Sequence, residues 1–154
     1  MLDELIARER IRQLRLDYSA CYDSWDFDAL ADLFCEDAVC SYPAAFGGSV
    51  RGREAIVAYM KRWADESRAP FDAIHLVANH SVTFESPTKA SGQCYLLDWL
   101  TRQFEGLQLQ TIGGHGNPLL LIGRYRDQYV LEEDGKWRFA SVALDAFWPV
   151  REMM

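Results

Sequence analysis

Positive charge is scarce in this chain. Its 154 residues hold 16 Lys and Arg against 23 Asp and Glu, a net charge of −7, with a pI near 4.9. A phosphate backbone or an anionic membrane repels such a surface, so neither nucleic acid nor membrane is an expected partner. The one basic cluster, Arg8, Arg10, Arg12 and Arg15, alternates with apolar residues and reads as a solvated helix face. Cysteine is also sparse. Cys21, Cys35, Cys40 and Cys94 form no C-x-x-C pair, and the three histidines have no metal-ligand spacing. No metal and no disulfide scaffold is expected, and the thiols read as small buried hydrophobes in a reducing compartment. No apolar run approaches the ~20 residues of a membrane span. The opening MLDELIARERIRQ is too charged for a secretory leader, so a cytoplasmic protein is expected. Linkers, repeats and low-complexity tracts are missing as well, which leaves one domain over residues 1–154.

What is present is ordinary globular material, 49% hydrophobic and 25% charged. A chain of this length buries roughly 70% of its unfolded surface, enough for a real core. The first third reads as helix, with Leu2, Leu5, Ile6, Leu14, Tyr18, Cys21, Tyr22 and Trp25 at three- and four-residue steps. Asp26 or Asp28 caps a second short helix over 28–34, and a strand follows at 38–42. Residues 43–52, with Gly47 and Gly48, read as a loop, and 53–67 as a third helix. After Pro70 the pattern turns to strands, over 71–77, 81–85, 89–104, 119–131 and 136–148. A glycine-rich loop covers 105–118, and Asp134-Gly135 marks a tight hairpin. Helices first and antiparallel strands after predict an α+β domain with helices on one face of a curved sheet.

Polar residues on apolar faces are the functional candidates. Along the strand at 89–104, one parity carries Ala90, Gly92, Cys94, Leu96, Asp98 and Leu100. Asp98 on that face either pairs with Arg124 or Arg126 of the next strand or faces a pocket. His75 lies among Ile74, Leu76 and Val77, and is the best available general base if it meets a cavity. Asp23 reads as a carboxylate at the end of the first helix. Tyr18 and Tyr22 lie on its apolar stripe, where their hydroxyls need partners. His80 and His115 carry less signal, and Gly113-Gly114-His115-Gly116 is no phosphate loop because it joins no strand to a helix.

The run I-R-Q-L-R-L-D-Y-S-A-C-Y-D-S-W-D-F-D-A-L-A-D-L-F-C-E-D resembles the opening of SnoaL-like domains in the nuclear-transport-factor-2-like superfamily. H-L-V-A-N-H-S-V-T-F is similar to their H-x(3)-N strand, and G-R-Y-R-D-Q-Y-V-L-E-E-D-G-K-W-R-F to their penultimate hairpin. The resemblance covers residues 5–148. It implies a cone-shaped curved antiparallel sheet wrapped by three N-terminal helices around one internal pocket. The nearest branch contains bile-acid 7α-dehydratase, scytalone dehydratase and hexachlorocyclohexane dehydrochlorinase. Members of this branch use an aspartate–histidine pair, and Asp23 and His75 stand at those places. Tyr18 matches a catalytic tyrosine of the bile-acid enzyme, and Asp98 its second aspartate. Tyr22 and Tyr42 resemble tyrosine positions of scytalone dehydratase. Ala146 stands near the bile-acid enzyme's functional arginine, and Leu100 or a neighbour replaces scytalone dehydratase's second histidine, which points to a different substrate.

The resemblance therefore implies a cofactor-independent dehydratase, a lyase acting on a small apolar, cyclic substrate, steroid- or polyketide-like. Trp25, Tyr42, Phe46, Leu96, Trp99, Tyr125, Phe147 and Trp148 are candidates for an apolar wall. An isomerase or polyketide cyclase would use the same proton transfer. A non-catalytic binding protein, like an oxygenase small subunit, would keep the fold and lose the pocket's polar groups. Relatives of this kind associate through the outer sheet face, so a homotrimer or dimer is expected.

Overall fold

The computed structural model describes residues 2–65, 69–101, 119–149 and 151–154. The predicted glycine-rich loop, including His115, lies outside the described residues, as do the predicted ends of the third helix and the fourth strand. The elements are α1 (Leu2–Ser24), α2 (Phe27–Asp32), β1 (Phe34–Ser41), β2 (Ser49–Arg51), α3 (Arg53–Asp65), β3 (Ala73–Ser86), β4 (Lys89–Leu100), β5 (Leu119–Leu131) and β6 (Trp137–Trp148). A short 3-10 turn at Ala44–Phe46 precedes β2. Among these elements no helix is long and apolar enough to cross a membrane.

The strands form one curved sheet in the order β2-β1-β6-β5-β4-β3. β1 runs parallel to β6, and the other four pairings are antiparallel. The sheet is thus mixed rather than wholly antiparallel. A parallel pair needs a long crossover, and everything between β1 and β6 supplies it. The expected loop at 43–52 contains β2, which pairs with β1 through Val39↔Arg51 and Ser41↔Ser49. Its three residues are too few for an alternating pattern to show.

Local devices end α1 and start α2. Asp26 caps α2 by accepting the Ala29 N–H at 3.0 Å. Ahead of it the chain leaves α1 through Trp25, whose φ of 62° is left-handed. The Asp26 N–H reaches back to the Cys21 carbonyl at 2.9 Å, and the Trp25 N–H to that of Tyr22 at 3.2 Å. Glycine normally holds this position, and a tryptophan there stores about 1–2 kcal/mol of strain. The turn at the β5–β6 hairpin forms as predicted, with Gly135 at φ 79° and the Lys136 N–H on Asp134 Oδ1 at 3.0 Å.

β3 reads as two strands in sequence because it carries a bulge. Ala78 pairs with Tyr95 and Ser81 with Gln93, leaving Asn79 at φ 56° and His80 unmatched. The extra residue reverses the alternation, which puts His75 and Val77 on the face shared by Val82 and Phe84.

The predicted stripe on α1 is displaced. Leu2, Leu5 and Ile6 are exposed, whereas Ile11, Leu14, Arg15, Tyr18 and Ser19 are buried. Arg15 is thus no part of a solvated face: it is fully buried in the core. Its Nε and Nη2 donate to Asp127 of β5 at 3.0 and 2.6 Å, and Asp127 is equally buried. Rings of Tyr18, Tyr125 and Phe139 cover the guanidinium at 4.5, 4.2 and 4.5 Å. Tyr129 donates to Asp127 Oδ2 at 2.7 Å, and its own oxygen lies 3.1 Å from His80 Nε2. The basic-cluster pattern missed this because charge spacing does not say what lies opposite.

Two outcomes follow from this network. Arg15→Ala leaves Asp127 buried without its cation and should cost about 3–5 kcal/mol in chemical denaturation. Replacing the pair together by Met and Leu should cost far less, since apolar residues of similar volume avoid the desolvation of both ions. The second concerns His80. Burial, then the Arg15 and Arg12 cations, lower its pKa from 6.5 to about 4. Between those values the unfolded chain binds the extra proton, so the stability from neutral His80 is complete above 6.5 and falls as pH drops through the window. Wild type should therefore lose more stability than His80→Gln across that range, and parallel curves would contradict the assignment.

Candidate active site

The end of α1 is tied to the start of β3 at three points. The Phe71 N–H donates to the Asp23 main-chain carbonyl at 2.8 Å. The His75 N–H donates to the Asp23 carboxylate, 3.1 Å to Oδ2 and 3.3 Å to Oδ1. The His75 ring completes the tie, with Nδ1 2.6 Å from Asp23 Oδ1. A carboxylate that accepts from Nδ1–H fixes the tautomer and leaves the lone pair of a neutral ring on Nε2. Nε2 is 3.8 Å from Asp98 Oδ2 on β4, where His75 and Asp98 are register partners. All three side chains are only 11–13% exposed. The second ring nitrogen of His75 therefore faces a second carboxylate across that 3.8 Å gap.

Asp98 does not pair with Arg124 or Arg126. Those arginines project from the other face of β5 and both bind Asp145 of β6, at 2.7 and 3.0 Å. The strand alternation puts residues 94, 96, 98 and 100 inward and keeps the arginines outward.

The dyad meets a cavity of about 120 Å³. α1 contributes Tyr18, Tyr22 and Asp23, and Trp25 follows them. β3 and β4 contribute Ala73, His75, Leu96 and Asp98, and Tyr42 and Phe46 come from the segment after β1. Tyr22 lies against the His75 ring, centroids 4.9 Å apart. Tyr18 is 99% buried and meets Tyr125 edge to face at 5.8 Å. Burial raises the Tyr18 phenol above its ordinary value, Cys40 adds to this, and the Arg15 cation opposes it. Tyr42 and Tyr125 are raised too, chiefly by burial. These phenols stay protonated near neutrality and act as donors. Among the described residues no three His, Cys, Asp or Glu side chains gather closely enough to hold a metal ion.

Three of the predicted wall residues lie elsewhere. Trp99 follows Asp98 by one residue, so it projects from the outer face and is 40% exposed. Phe147 sits under Arg124 at 5.9 Å, on that same outer face. Trp148 pairs with Ile122 beyond a register shift and does not line the cavity. The wall that sequence reasoning missed comes mostly from α3: Tyr59, Met60, Trp63 and Ala64. Their spacing marks an apolar helix face, which alone cannot separate a cavity wall from a filled core. Tyr59 stacks on Tyr42, centroids 5.0 Å apart, and donates to the Phe46 carbonyl. Leu120 and Leu121 also line the cavity as neighbours in sequence, because a bulge opposite Asp98 and Trp99 turns both inward.

Comparison with known proteins places this arrangement. No match was found among curated protein sequences. Similar solved structures include a scytalone-dehydratase-like protein of Novosphingobium aromaticivorans, 24% identical, covering 99% of this chain and 91% of that one, TM-score 0.75. A hexachlorocyclohexane dehydrochlorinase of Novosphingobium barchaimii is 20% identical, covering 99% and 98%, TM-score 0.73. An NTF2-like protein with a cystatin-like fold, from Novosphingobium aromaticivorans, is 23% identical, covering 97% and 87%, TM-score 0.74. These likenesses establish the fold: three helices and a curved six-stranded sheet about a cavity. The family model for the SnoaL-like domain matches residues 3–143, and with fold and sequence in agreement the chain belongs to the SnoaL-like family.

Proposed function

We propose that the protein is a cofactor-independent lyase that removes water from a small apolar, ring-shaped substrate bearing a hydroxyl and a carbonyl group. The observation that carries this reading is the Asp23–His75–Asp98 arrangement: one ring nitrogen of His75 is held by a carboxylate at 2.6 Å and the other is turned toward a second carboxylate at 3.8 Å, inside an aromatic cavity. The matches to a scytalone-dehydratase-like protein and a dehydrochlorinase support an elimination chemistry.

In the proposed reaction Nε2 of His75 removes a proton beside the carbonyl. Asp23 stabilises the imidazolium that forms. The electron pair released from the C–H bond becomes the new double bond, and the carbonyl oxygen gains negative charge on the way. Tyr18 donates a hydrogen bond to that oxygen. The C–O bond to the hydroxyl then breaks, and the proton carried on Nε2 passes to the departing oxygen, so that water leaves and the dyad regains its starting state. Asp98 positions that oxygen beside Nε2. The cavity volume is close to the ~150 Å³ that holds benzene in an engineered core, which suits one ring of a substrate. The exposed row Leu76, Tyr95, Leu97 and Trp99 on the outer face of β3 and β4 supports self-association through the sheet.

Hydroxylated cyclic ketones incubated with the protein should lose the mass of water. An unchanged mass with a moved double bond or a new ring would instead identify an isomerase or cyclase working through the same proton transfer. His75→Gln and Asp23→Asn should each lower kcat/KM by about 10²–10⁴-fold while circular dichroism stays that of the wild type. Full activity in a folded His75→Gln protein would overturn the proposal.

A further inference from the structure

A buried arginine beneath a cavity is an expensive way to fill space. Arg15 is completely buried, and its Nη1 has no hydrogen-bond partner among the described residues. Methionine or leucine would fill the same volume without desolvating a cation. Stability alone therefore gives no strong account of why a charge stands there. Its neighbours give a better one. Of the three rings packed on the guanidinium, Tyr18 at 4.5 Å and Tyr125 at 4.2 Å also line the cavity. Asp127 is held by two arginine nitrogens and by Tyr129. The positive end of the pair thus packs directly on the two pocket phenols.

We propose that Arg15 is a positioning residue for the pocket. Clamped to Asp127, it holds the rings of Tyr18 and Tyr125 at the cavity wall and strengthens both hydroxyls as donors to a substrate oxygen that gains negative charge. The inference deepens the acid–base reading above and rests on it for the identity of that oxygen. The physical basis is twofold. A cation stacked on a phenol ring draws electron density from it and acidifies its O–H. In a dry interior that field is screened far less than in water. The lowering effect of Arg15 on both phenols, set against the larger effect of burial, agrees with this geometry. The selectivity that results is for ring-shaped ligands carrying a full or developing oxyanion, over neutral ligands of the same shape.

The test needs no turnover. Binding of para-nitrophenolate and of its neutral isostere para-nitrotoluene is measured by calorimetry for the wild type, the paired variant Arg15→Met with Asp127→Leu, and the polar pair Arg15→Gln with Asp127→Asn. Both pairs remove the charges without leaving one ion unpaired, and each is compared once its circular dichroism matches the wild type. The phenolate should bind about tenfold more weakly to the neutral pairs, a change near 1.4 kcal/mol, with nitrotoluene affinity held within about twofold. Equal losses for both ligands, an unchanged phenolate affinity, or no phenolate binding by the wild type would overturn the proposal. Because His75→Gln leaves Arg15 and both phenols in place, full activity in that variant would remove the dehydratase reading without touching this result.

Discussion

The docking of α1 on the sheet is the constraint from which the rest follows, and one ion pair registers it. Arg15 reaches Asp127 through two nitrogens, and both residues are fully buried. A bidentate guanidinium–carboxylate contact is geometrically narrow, so it fixes both the rotation and the axial position of the helix. Residues 18 and 19, then 22 and 23, repeat the same face one and two turns further on. Asp23 is thereby delivered, roughly 12 Å along the helix from Arg15, to the edge strand that carries His75.

That arrangement divides the polar work of the domain. Midway along α1 the charges are sealed: Arg15, Asp127, Tyr129 and His80 form a chain of hydrogen bonds between helix and sheet. At its C-terminal end they are held beside a cavity, where the Asp23 carboxylate is occupied by the backbone and ring of His75. The rings of Tyr18 and Tyr125 pack on Arg15 and line the cavity that Asp23 and His75 also line. Burial keeps those phenols protonated, so the cavity places phenol O–H groups beside the His75 imidazole, the combination that the proposed proton abstraction requires. Strain is placed here as well: Trp25, in a left-handed conformation directly after α1, lines the same cavity.

Legibility in the sequence depended on how local each feature is. The helices, the tight turn at Asp134-Gly135 and the bounds of β5 show in periodicity and turn chemistry, because i, i+4 and i, i+2 neighbours are set by the backbone alone. His75 and Asp98 were visible as polar residues on apolar faces, and resemblance singled out Asp23 and Tyr18 with them. Features with a distant partner were not visible. Arg15 looks the same in sequence as Arg12, since only Asp127, more than a hundred residues on, separates a core cation from a surface one. Leu120 and the α3 wall were missed for a related reason: bulges change which side chains face inward, and an apolar helix face reads alike over a cavity and over a filled core. Trp99 was misassigned by neglect of strict alternation, which its neighbour Asp98 already illustrated.

The amino-acid sequence by itself determined the kind of elements, their order and the presence of a base and carboxylates on apolar faces, because these rest on propensity, spacing and charge along the chain. Only the tertiary structure decided that Asp23 binds His75 at one nitrogen while Asp98 faces the other, that Arg124 and Arg126 turn away to Asp145, and that Arg15 lies beneath the pocket phenols. Each of these is a contact between residues from different elements, and the register of one strand or the rotation of one helix is enough to make it or lose it. A one-residue slip of β4 would send Asp98 outward and bring Trp99 inward. Chemistry of this kind depends on distances of about 3 Å, and those are set by packing, not by any stretch of sequence read alone.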